Sequence, residues 1–136
     1  MATFDLELVS PEKLLLSRPV EMAIIPAAEG DMGILPGHSP MIVALKGGVI
    51  EVRGGGSATE RLFVAGGFAE ITPTRVTVLA DEATPVAQIS RAQAETRVRE
   101  AEAEYQAQAN DLPEVREKAM DRLLAARTML DVAGAA

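Results

Sequence analysis

The chain has 136 residues, a length that suits one ordinary domain or one small domain with an appendage. Its formal net charge is −7, which argues against nucleic acid as a partner and against a polybasic patch for anionic lipids. It contains no cysteine, so disulfide and thiolate chemistry are excluded. Because 48% of the residues are hydrophobic and only 3% are aromatic, we expect an aliphatic core.

The chain opens with a period-two pattern in which Phe4, Leu6 and Leu8 alternate with Asp5 and Glu7. This pattern predicts a strand, and it differs from the basic start and apolar run of a signal peptide. No apolar stretch approaches the roughly 20 residues of a membrane span. We therefore expect a cytoplasmic protein with no direct insertion into a membrane.

The segment Gly33–Pro40 lies between two predicted strands, Val20–Pro26 and Met41–Lys46. Its two prolines restrict φ and its two glycines permit backbone conformations closed to other residues, which predicts a shaped loop. The loop holds the only histidine, His38, but nothing in the spacing orients Ser39 or a carboxylate beside it as general-base catalysis requires. We expect a histidine that is hydrogen-bonded within its loop or packed at an interface.

Further short alternating runs follow, separated by glycine-rich and proline-rich turn signals such as Glu29-Gly30-Asp31 and Gly54-Gly55-Gly56-Ser57. In each of these runs two apolar residues lie on either side of a polar one: Ile50 and Val52 around Glu51, Phe68 and Ile71 around Glu70, and Val76 and Val78 around Thr77. The pattern predicts that residues 1–86 form an antiparallel β-sandwich of about ten strands.

The composition changes at residue 87, and residues 87–136 consist mainly of strong helix formers. This segment is predicted to form an antiparallel two-helix hairpin, which makes the fold class α+β. Ser90 is the expected N-cap of the first helix, and Asp111, followed by Pro113 and Glu114, resembles the capping box of the second. Each helix carries one apolar stripe: Ala94, Val98, Ala101 and Tyr105 in the first, and Val115, Ala119, Leu123, Ala126 and Leu130 in the second.

The alanine-rich seam lets the helices approach closely but buries little apolar area, so we expect the hairpin to be held weakly to the sandwich. Periodicity alone leaves two interpretations open. The hairpin either completes the fold as a fixed appendage or moves between more than one docking position.

Motifs for common chemistry are missing from the sequence. There is no Gly-x-x-x-x-Gly-Lys-Ser/Thr phosphate loop and no Gly-x-Ser-x-Gly nucleophile elbow. One histidine without cysteines cannot build a multi-histidine or thiolate metal site, so we predict no metal. The acidic pairs of the chain are expected to be solvated surfaces.

The segment Glu29–Pro40, which reads EGDMGILPGHSP, resembles the signature of the epsilon subunit of bacterial F-type ATP synthase. The opening strand Leu6–Glu12, the run Gly66–Ile71 and the run Val76–Asp81 resemble the family as well, and a helical hairpin follows in the expected place. The resemblance covers essentially the whole chain.

This resemblance implies a β-sandwich of about ten strands, two helices and a place in the central rotor stalk. A subunit of this kind binds the gamma subunit, sits on the c-subunit ring and has no catalytic activity of its own. It couples proton-driven ring rotation to ATP synthesis at the cytoplasmic face of the bacterial inner membrane, as a peripheral protein. The resemblance also implies a mobile, regulatory hairpin that contacts the alpha/beta catalytic head when extended and slows ATP hydrolysis.

The resemblance implies particular contact residues. Glu29, Gly30 and Asp31 correspond to the loop that meets the polar loops of the c-ring. Pro36, Gly37, His38 and Met41 correspond to the region used against gamma or the ring. An acidic loop is suited to basic ring loops through charge complementarity.

Some members of the family bind ATP on the folded hairpin through an Ile/Leu-Asp-x-x-Arg-Ala motif. In this chain Arg91 is retained and Glu82 matches a further acid, but Gln88 replaces the aspartate. Loss of the carboxylate removes a charged hydrogen-bond acceptor, so we predict a degenerate site with weak or absent ATP binding and no cofactor. Basic residues of the second helix alternate with acidic ones, which predicts at most a modest inhibitory effect.

Two alternatives come from other classes of protein. The chain could be a stand-alone β-sandwich that binds a ligand or acts as an adapter, with a deep pocket and a stable monomer. It could also be an enzyme that uses His38, in which case the replacement of His38 by alanine would abolish activity while the fold stays intact.

Overall fold

In the part of the chain that the structure describes, ten β-strands come first and two α-helices follow them. The structure is a computed structural model that describes residues 2–55 and 57–135. The strands are β1 (Phe4–Val9), β2 (Leu14–Val20), β3 (Met22–Ala27), β4 (Gly30–Ile34), β5 (Met41–Leu45), β6 (Gly48–Gly54), β7 (Ser57–Val64), β8 (Gly67–Ile71), β9 (Arg75–Ala80) and β10 (Ala83–Pro85). The predicted turn at 54–57 includes Gly56, which lies outside the described residues.

The strands form one sheet that folds on itself into a sandwich, in the order β10-β7-β6-β3-β5-β8-β9-β1-β2, with β4 paired to β3. The prediction of a β-sandwich followed by a helical hairpin is confirmed. The prediction of antiparallel pairing is wrong at one place, because β1 and β9 pair in parallel. In that pairing Leu6 lies beside Val76 and Leu8 beside Val78, so the first strand completes the core instead of remaining at an edge.

The sandwich core is aliphatic apart from Phe4, as the composition predicts. Leu6, Leu8, Ile50 and Val52 face inward and are almost completely buried, so the alternation assigns these strands correctly. In β8 the predicted apolar pair of Phe68 and Ile71 lies on opposite faces of the strand. Ala69 and Ile71 are the buried pair of that strand, whereas Phe68 points outward and is 58% exposed.

The segment Gly33–Pro40 is only partly a loop. Gly33 and Ile34 belong to β4, and Ile34 is buried in the core, because β4 pairs along β3 from Gly30 onward. The turn of this hairpin is Ala28–Glu29, one residue earlier than the predicted turn. The predicted strand Val20–Pro26 is likewise divided at Glu21 between the end of β2 and the start of β3.

The helical hairpin consists of α1 (Arg91–Ala107) and α2 (Pro113–Ala135), preceded by a 3₁₀ turn at Val86–Gln88. Ser90 is the N-cap of α1 and its side chain accepts a hydrogen bond from the amide of Gln93. The expected cap of α2 is wrong, because Oδ1 of Asp111 accepts from the amide of the adjacent Leu112, outside the helix. Neither helix in the described part of the chain is long and apolar enough to cross a membrane.

The two predicted stripes meet in part between α1 and α2, whereas their members Ala94 and Leu130 pack toward the sandwich. Ala101, Leu123 and Ala126 are buried in this seam, with Val98, Tyr105 and Met120 packed around them. A separate small cluster joins the hairpin to the sandwich: Phe63, Ala94, Ala125 and Met129, with Ala65, Ile89 and Leu130 at its border. The hairpin therefore has its own core and contacts the sandwich through a limited surface.

Candidate interaction surfaces

A row of apolar side chains crosses the outer face of the sandwich. Its members are paired across five neighbouring strands: Ala44 with Phe68, Phe68 with Leu79, Leu79 with Val9, and Val9 with Leu14. Paired residues on adjacent strands present their side chains on the same side of the sheet. We call this row, together with Ile42, the apolar face.

The apolar face is open to solvent. Ile42 is 71% exposed, Leu14 56% and Leu79 55%. Single exposed apolar residues are normal on the surface of a monomer, but a continuous row of them is uncommon. The helical hairpin does not cover it, because the hairpin packs around Phe63 instead. An uncovered apolar surface of this kind indicates a site for another protein chain.

The apolar face is not visible as a unit in the linear sequence. Ile42, Phe68 and Leu79 lie far apart in the chain, and only the pairing of β5, β8 and β9 places them together. One local signal was available. If Ala69 and Ile71 are assigned to the core, then Phe68 and Glu70 must point to solvent.

An acidic turn lies beside an open cleft at the β3–β4 hairpin. Glu29, Gly30, Asp31 and Met41 all line this cleft, which has a volume of about 560 Å³ and an otherwise largely apolar wall. The carboxylates of Glu29 and Asp31 are exposed and form no ion pair with any residue in the described ranges. The structure thus brings Met41 together with the predicted ring-contact residues.

The remaining predicted contact residues lie in the loop between β4 and β5. The amide of Gly37 donates to the carbonyl of Pro73 over 2.8 Å, which ties this loop to the β8–β9 turn. Nδ1 of His38 is 2.8 Å from the carbonyl oxygen of Ser39. Since a carbonyl only accepts, Nδ1 donates in this bond, and the bond holds the ring against its own loop. Pro36 is half-buried in the same loop.

The three residues of the degenerate ATP site lie where the sandwich meets the hairpin. Glu82, in the turn between β9 and β10, accepts two hydrogen bonds from the guanidinium of Arg97, at 2.7 and 2.6 Å. Arg91 donates to Glu95 one turn along α1, at 3.3 Å. Gln88 is exposed in the 3₁₀ turn. Both charged residues of the predicted site therefore have partners within the chain.

Arg97 is the partner that sequence reasoning missed, because its contact with Glu82 joins a loop of the sandwich to a helix. Its hydrogen bond lowers the pKa of the Glu82 carboxyl, in opposition to a smaller effect of desolvation. The same bond raises the pKa of Arg97. Among the described residues this is the one ion pair between the sandwich and the hairpin.

Comparison with known proteins agrees with this architecture. Residues 3–86 match the family model described as ATP synthase, Delta/Epsilon chain, beta-sandwich domain. The chain is 56% identical over 133 residues to the ATP synthase epsilon chain of Granulibacter bethesdensis, and 98% of each chain is covered. It is 44% identical to the ATP synthase epsilon chain of Gluconacetobacter diazotrophicus, with 98% of this chain and 95% of the relative covered.

Solved structures give the same result for the fold. A chain in the cryo-EM structure of the Euglena gracilis mitochondrial ATP synthase, OSCP/F1/c-ring, is similar with a TM-score of 0.76 and 27% identity, over 95% of this chain and 80% of that chain. A chain in the central stalk/c-ring structure of the Tetrahymena thermophila mitochondrial ATP synthase has a TM-score of 0.72 over 97% of both chains. Because the two sequences are only 13% identical, this similarity shows a shared fold and nothing more.

The fold and its surfaces define a β-sandwich protein with a two-helix appendage and an uncovered face suited to binding another chain. The family model covers the sandwich, and two relatives are 56% and 44% identical over nearly the full length of the chain. These matches make the assignment to a family specific. The chain belongs to the ATP synthase epsilon-chain family.

Proposed function

We propose that this chain is a central-stalk rotor subunit of an F-type ATP synthase. In this role it binds the gamma subunit and the c-subunit ring, and it helps to couple proton-driven ring rotation to ATP synthesis in the catalytic head. The observation that carries the proposal is 56% identity to an ATP synthase epsilon chain across 98% of both chains. The chain contributes contacts to the complex and no catalytic group.

The apolar face is the proposed contact for gamma. Ile42, Phe68 and Leu79 leave apolar area in water that a partner would bury at roughly 25 cal/mol per Å². Continuous burial of this kind is typical of the central part of a lasting interface between proteins. The loop with Pro36, Gly37 and His38 begins at the end of β4 and leads into β5, so it lies at the border of this contact.

The acidic turn is the proposed contact for the ring. Glu29 and Asp31 present carboxylates that form no ion pair with the described residues, beside the cleft that Met41 helps to line. Charges at the rim of an interface set orientation and association rate more than affinity. The turn would therefore fix the position of the sandwich on basic loops of the ring.

The subunit is proposed to lie at the cytoplasmic face of the bacterial inner membrane, held there by its protein partners. The hairpin is proposed to be a mobile regulatory element that reaches the alpha/beta head when extended. Two of the basic residues on α2, Arg122 and Arg127, are engaged by Glu104 and Glu102 of α1. Engagement of these cations within the hairpin supports a modest effect on ATP hydrolysis.

Stoichiometric co-purification tests the proposed function. An affinity-tagged copy of the full chain, expressed in its natural host, should be recovered with gamma, the catalytic subunits and the c-ring in fixed ratio. Recovery should not depend on ATP. Recovery of the tagged chain as a free monomer from detergent-solubilised membranes, under conditions that keep the ATPase intact, would refute the proposal and favour the stand-alone binding protein.

A further inference from the structure

The hairpin contacts the sandwich at a point where a glycine faces the backbone of a helix. Gly47, in the link between β5 and β6, lies against Ala125 of α2. A Cβ atom built on Gly47 would be 2.7 Å from Cβ of Ala125 and 2.8 Å from its Cα. Carbon atoms in contact are normally 3.5–4.0 Å apart, so no side chain fits at position 47 while the hairpin is docked.

The backbone conformation of Gly47 does not itself require glycine. The glycines with positive φ in the described chain are at other positions, such as Gly30 and Gly37. Alanine at position 47 would therefore meet no conformational penalty within the link. The restriction comes from α2 alone, because the nearest atoms belong to Ala125 and include its backbone, which no rotamer change can move.

The helix cannot easily slide to relieve such a clash. Nη1 of Arg97 is 2.7 Å from Glu82 and 3.5 Å from Sδ of Met129, so it links the sandwich, α1 and α2. Met129 lies one turn beyond Ala125 on the same helix. A shift of α2 that made room at Gly47 would also disturb the contacts around Met129 and Phe63.

We propose that the Gly47–Ala125 contact is a steric control point that decides whether the hairpin docks on the sandwich. The hairpin and the sandwich each have a core of their own, so undocking exposes only the small cluster around Phe63. This contact would control the regulatory movement proposed for the hairpin. Only the effect of docking on the assembled complex rests on the proposed function. Docking is measured on the isolated full chain, so a failed docking test leaves the stalk function untouched.

The experiment measures the distance between two spin labels in the full chain. The protein has no cysteine, so Thr59→Cys on β7 and Arg116→Cys on α2, both exposed positions, give unique labelling sites. The overpacked contact destabilises the docked state, so Gly47→Ala should raise the ratio of undocked to docked molecules roughly tenfold, seen as a second, broader distance population. Amide exchange in β1 and β9 should stay slow, which shows an intact sandwich.

Gly48→Ala is the matched control. A Cβ on Gly48 would meet Cβ of Pro26 at the same distance of 2.7 Å, but that contact lies within the sandwich. This variant should lower the stability of the sandwich without adding a second distance population. A second population of equal size in Gly48→Ala would overturn the proposal, because the effect would then reflect general loss of stability.

Ala125→Val tests the contact from the hairpin side and leaves the sandwich sequence unchanged. It should also raise the undocked population, while Leu124→Val, a neighbouring substitution at a half-exposed position, should leave the distances as they are. If neither Gly47→Ala nor Ala125→Val changes the distance distribution, the proposal is wrong. A shift in both variants, with neither control affected, supports it.

Discussion

At the residue scale, pairing inside the chain determines what individual charged groups can do. Glu82 and Arg97 form a fork of two hydrogen bonds, which are charge-assisted and directional. The exposed carboxylates of Glu29 and Asp31, in contrast, have no ion-pair partner among the described residues and are available to another chain. The Glu82–Arg97 pair should therefore respond to pH, whereas Asp31 should respond to reversal of its charge.

The ion pair of Glu82 with Arg97 should contribute to stability in a pH-dependent way. Because the pKa of Glu82 is lowered in the folded chain, its contribution is complete above the ordinary carboxyl value of about 4.3 and is lost as the pH falls below it. Half-exposed pairs are worth about 0.2–1 kcal/mol, so Glu82→Gln should lower the melting temperature by roughly 1–4 °C at pH 7.

Thermal unfolding followed by circular dichroism checks this expectation. The difference between the natural chain and Glu82→Gln should shrink below pH 4 and vanish near pH 2. Arg97→Gln should produce a similar loss, and the double variant should lose no more than either single one. A difference that is the same at pH 7 and pH 2 would show that the ion pair is not its source.

Charge reversal at Asp31 should weaken the contact with the ring. Asp31→Lys places a cation opposite the proposed basic ring loops, which should lower proton-driven ATP synthesis and the recovery of the catalytic head on membranes. Glu12→Lys is the control, because Glu12 is also exposed but lies in the β1–β2 turn. Unchanged coupling and assembly in Asp31→Lys, measured in inverted membrane vesicles, would count against the assignment.

The predicted ATP site should bind its ligand weakly if at all. Gln88 supplies no carboxylate, while Glu82 and Arg91 are engaged by Arg97 and Glu95. Isothermal titration calorimetry of the isolated full chain with MgATP should give no micromolar affinity. A dissociation constant in that range would contradict the prediction and would mean that ATP displaces at least one of these pairs.

At the element scale, each strand and helix has an inward side that the sequence pattern identifies and an outward side that function can use. The outward sides of β5, β8 and β9 form the apolar face, and the outward side of β7 supports the hairpin through Phe63. Phe63 is almost completely buried although it points away from the sandwich core. The hairpin therefore covers one apolar outer surface of the sandwich and leaves the other open.

Removal of one aromatic anchor from the apolar face should reduce the affinity for gamma. Phe68→Ser should leave the free energy of unfolding within about 0.5 kcal/mol, since Phe68 is 58% exposed in the free chain. It should weaken binding by about 2 kcal/mol, close to thirtyfold, if Phe68 becomes a buried anchor in the complex.

Calorimetric titration of purified gamma measures this affinity. Leu124→Ser is the matched control, because Leu124 is 50% exposed but lies on α2. It should bind gamma with unchanged affinity. An equal loss in both variants, or no loss in Phe68→Ser, would place the gamma contact elsewhere.

At the scale of the whole molecule, the described residues form three separate apolar clusters, and these show how the chain is built. The largest fills the sandwich, one fills the helical seam, and the smallest joins the two. This arrangement makes the hairpin an element that can leave without loss of the sandwich core. This independence is what the proposed mobile regulatory hairpin requires.

Deletion of the hairpin from Gln88 onward should leave a folded sandwich that still assembles into the enzyme. ATP hydrolysis by the assembled complex should rise only a few-fold, because the cations of α2 are interspersed with acids and partly engaged within the hairpin. The measurement is the ATPase rate of complexes with the full-length and the shortened chain. A many-fold increase would show a strong inhibitory element.

Local sequence pattern is sufficient to predict the division into a strand-rich part and a helical part, most of the inward-facing residues and the cap at Ser90. These follow from local periodicity, since the faces of strands and helices repeat every two and 3.6 residues. Local periodicity did not give the inward face of β8, because two phases of alternation were compatible with its apolar residues. It also did not predict β4, because that strand lies in a glycine-rich segment.

Contacts between residues that are distant in the chain depend on the tertiary structure. The row from Ala44 to Leu14 depends on the register of five strands, and the Glu82–Arg97 and Gly47–Ala125 contacts depend on where the hairpin docks. Register and docking are set by the packing of the entire core, so no short window of sequence contains them. For this chain, local pattern determined the elements, and long-range packing determined its surfaces.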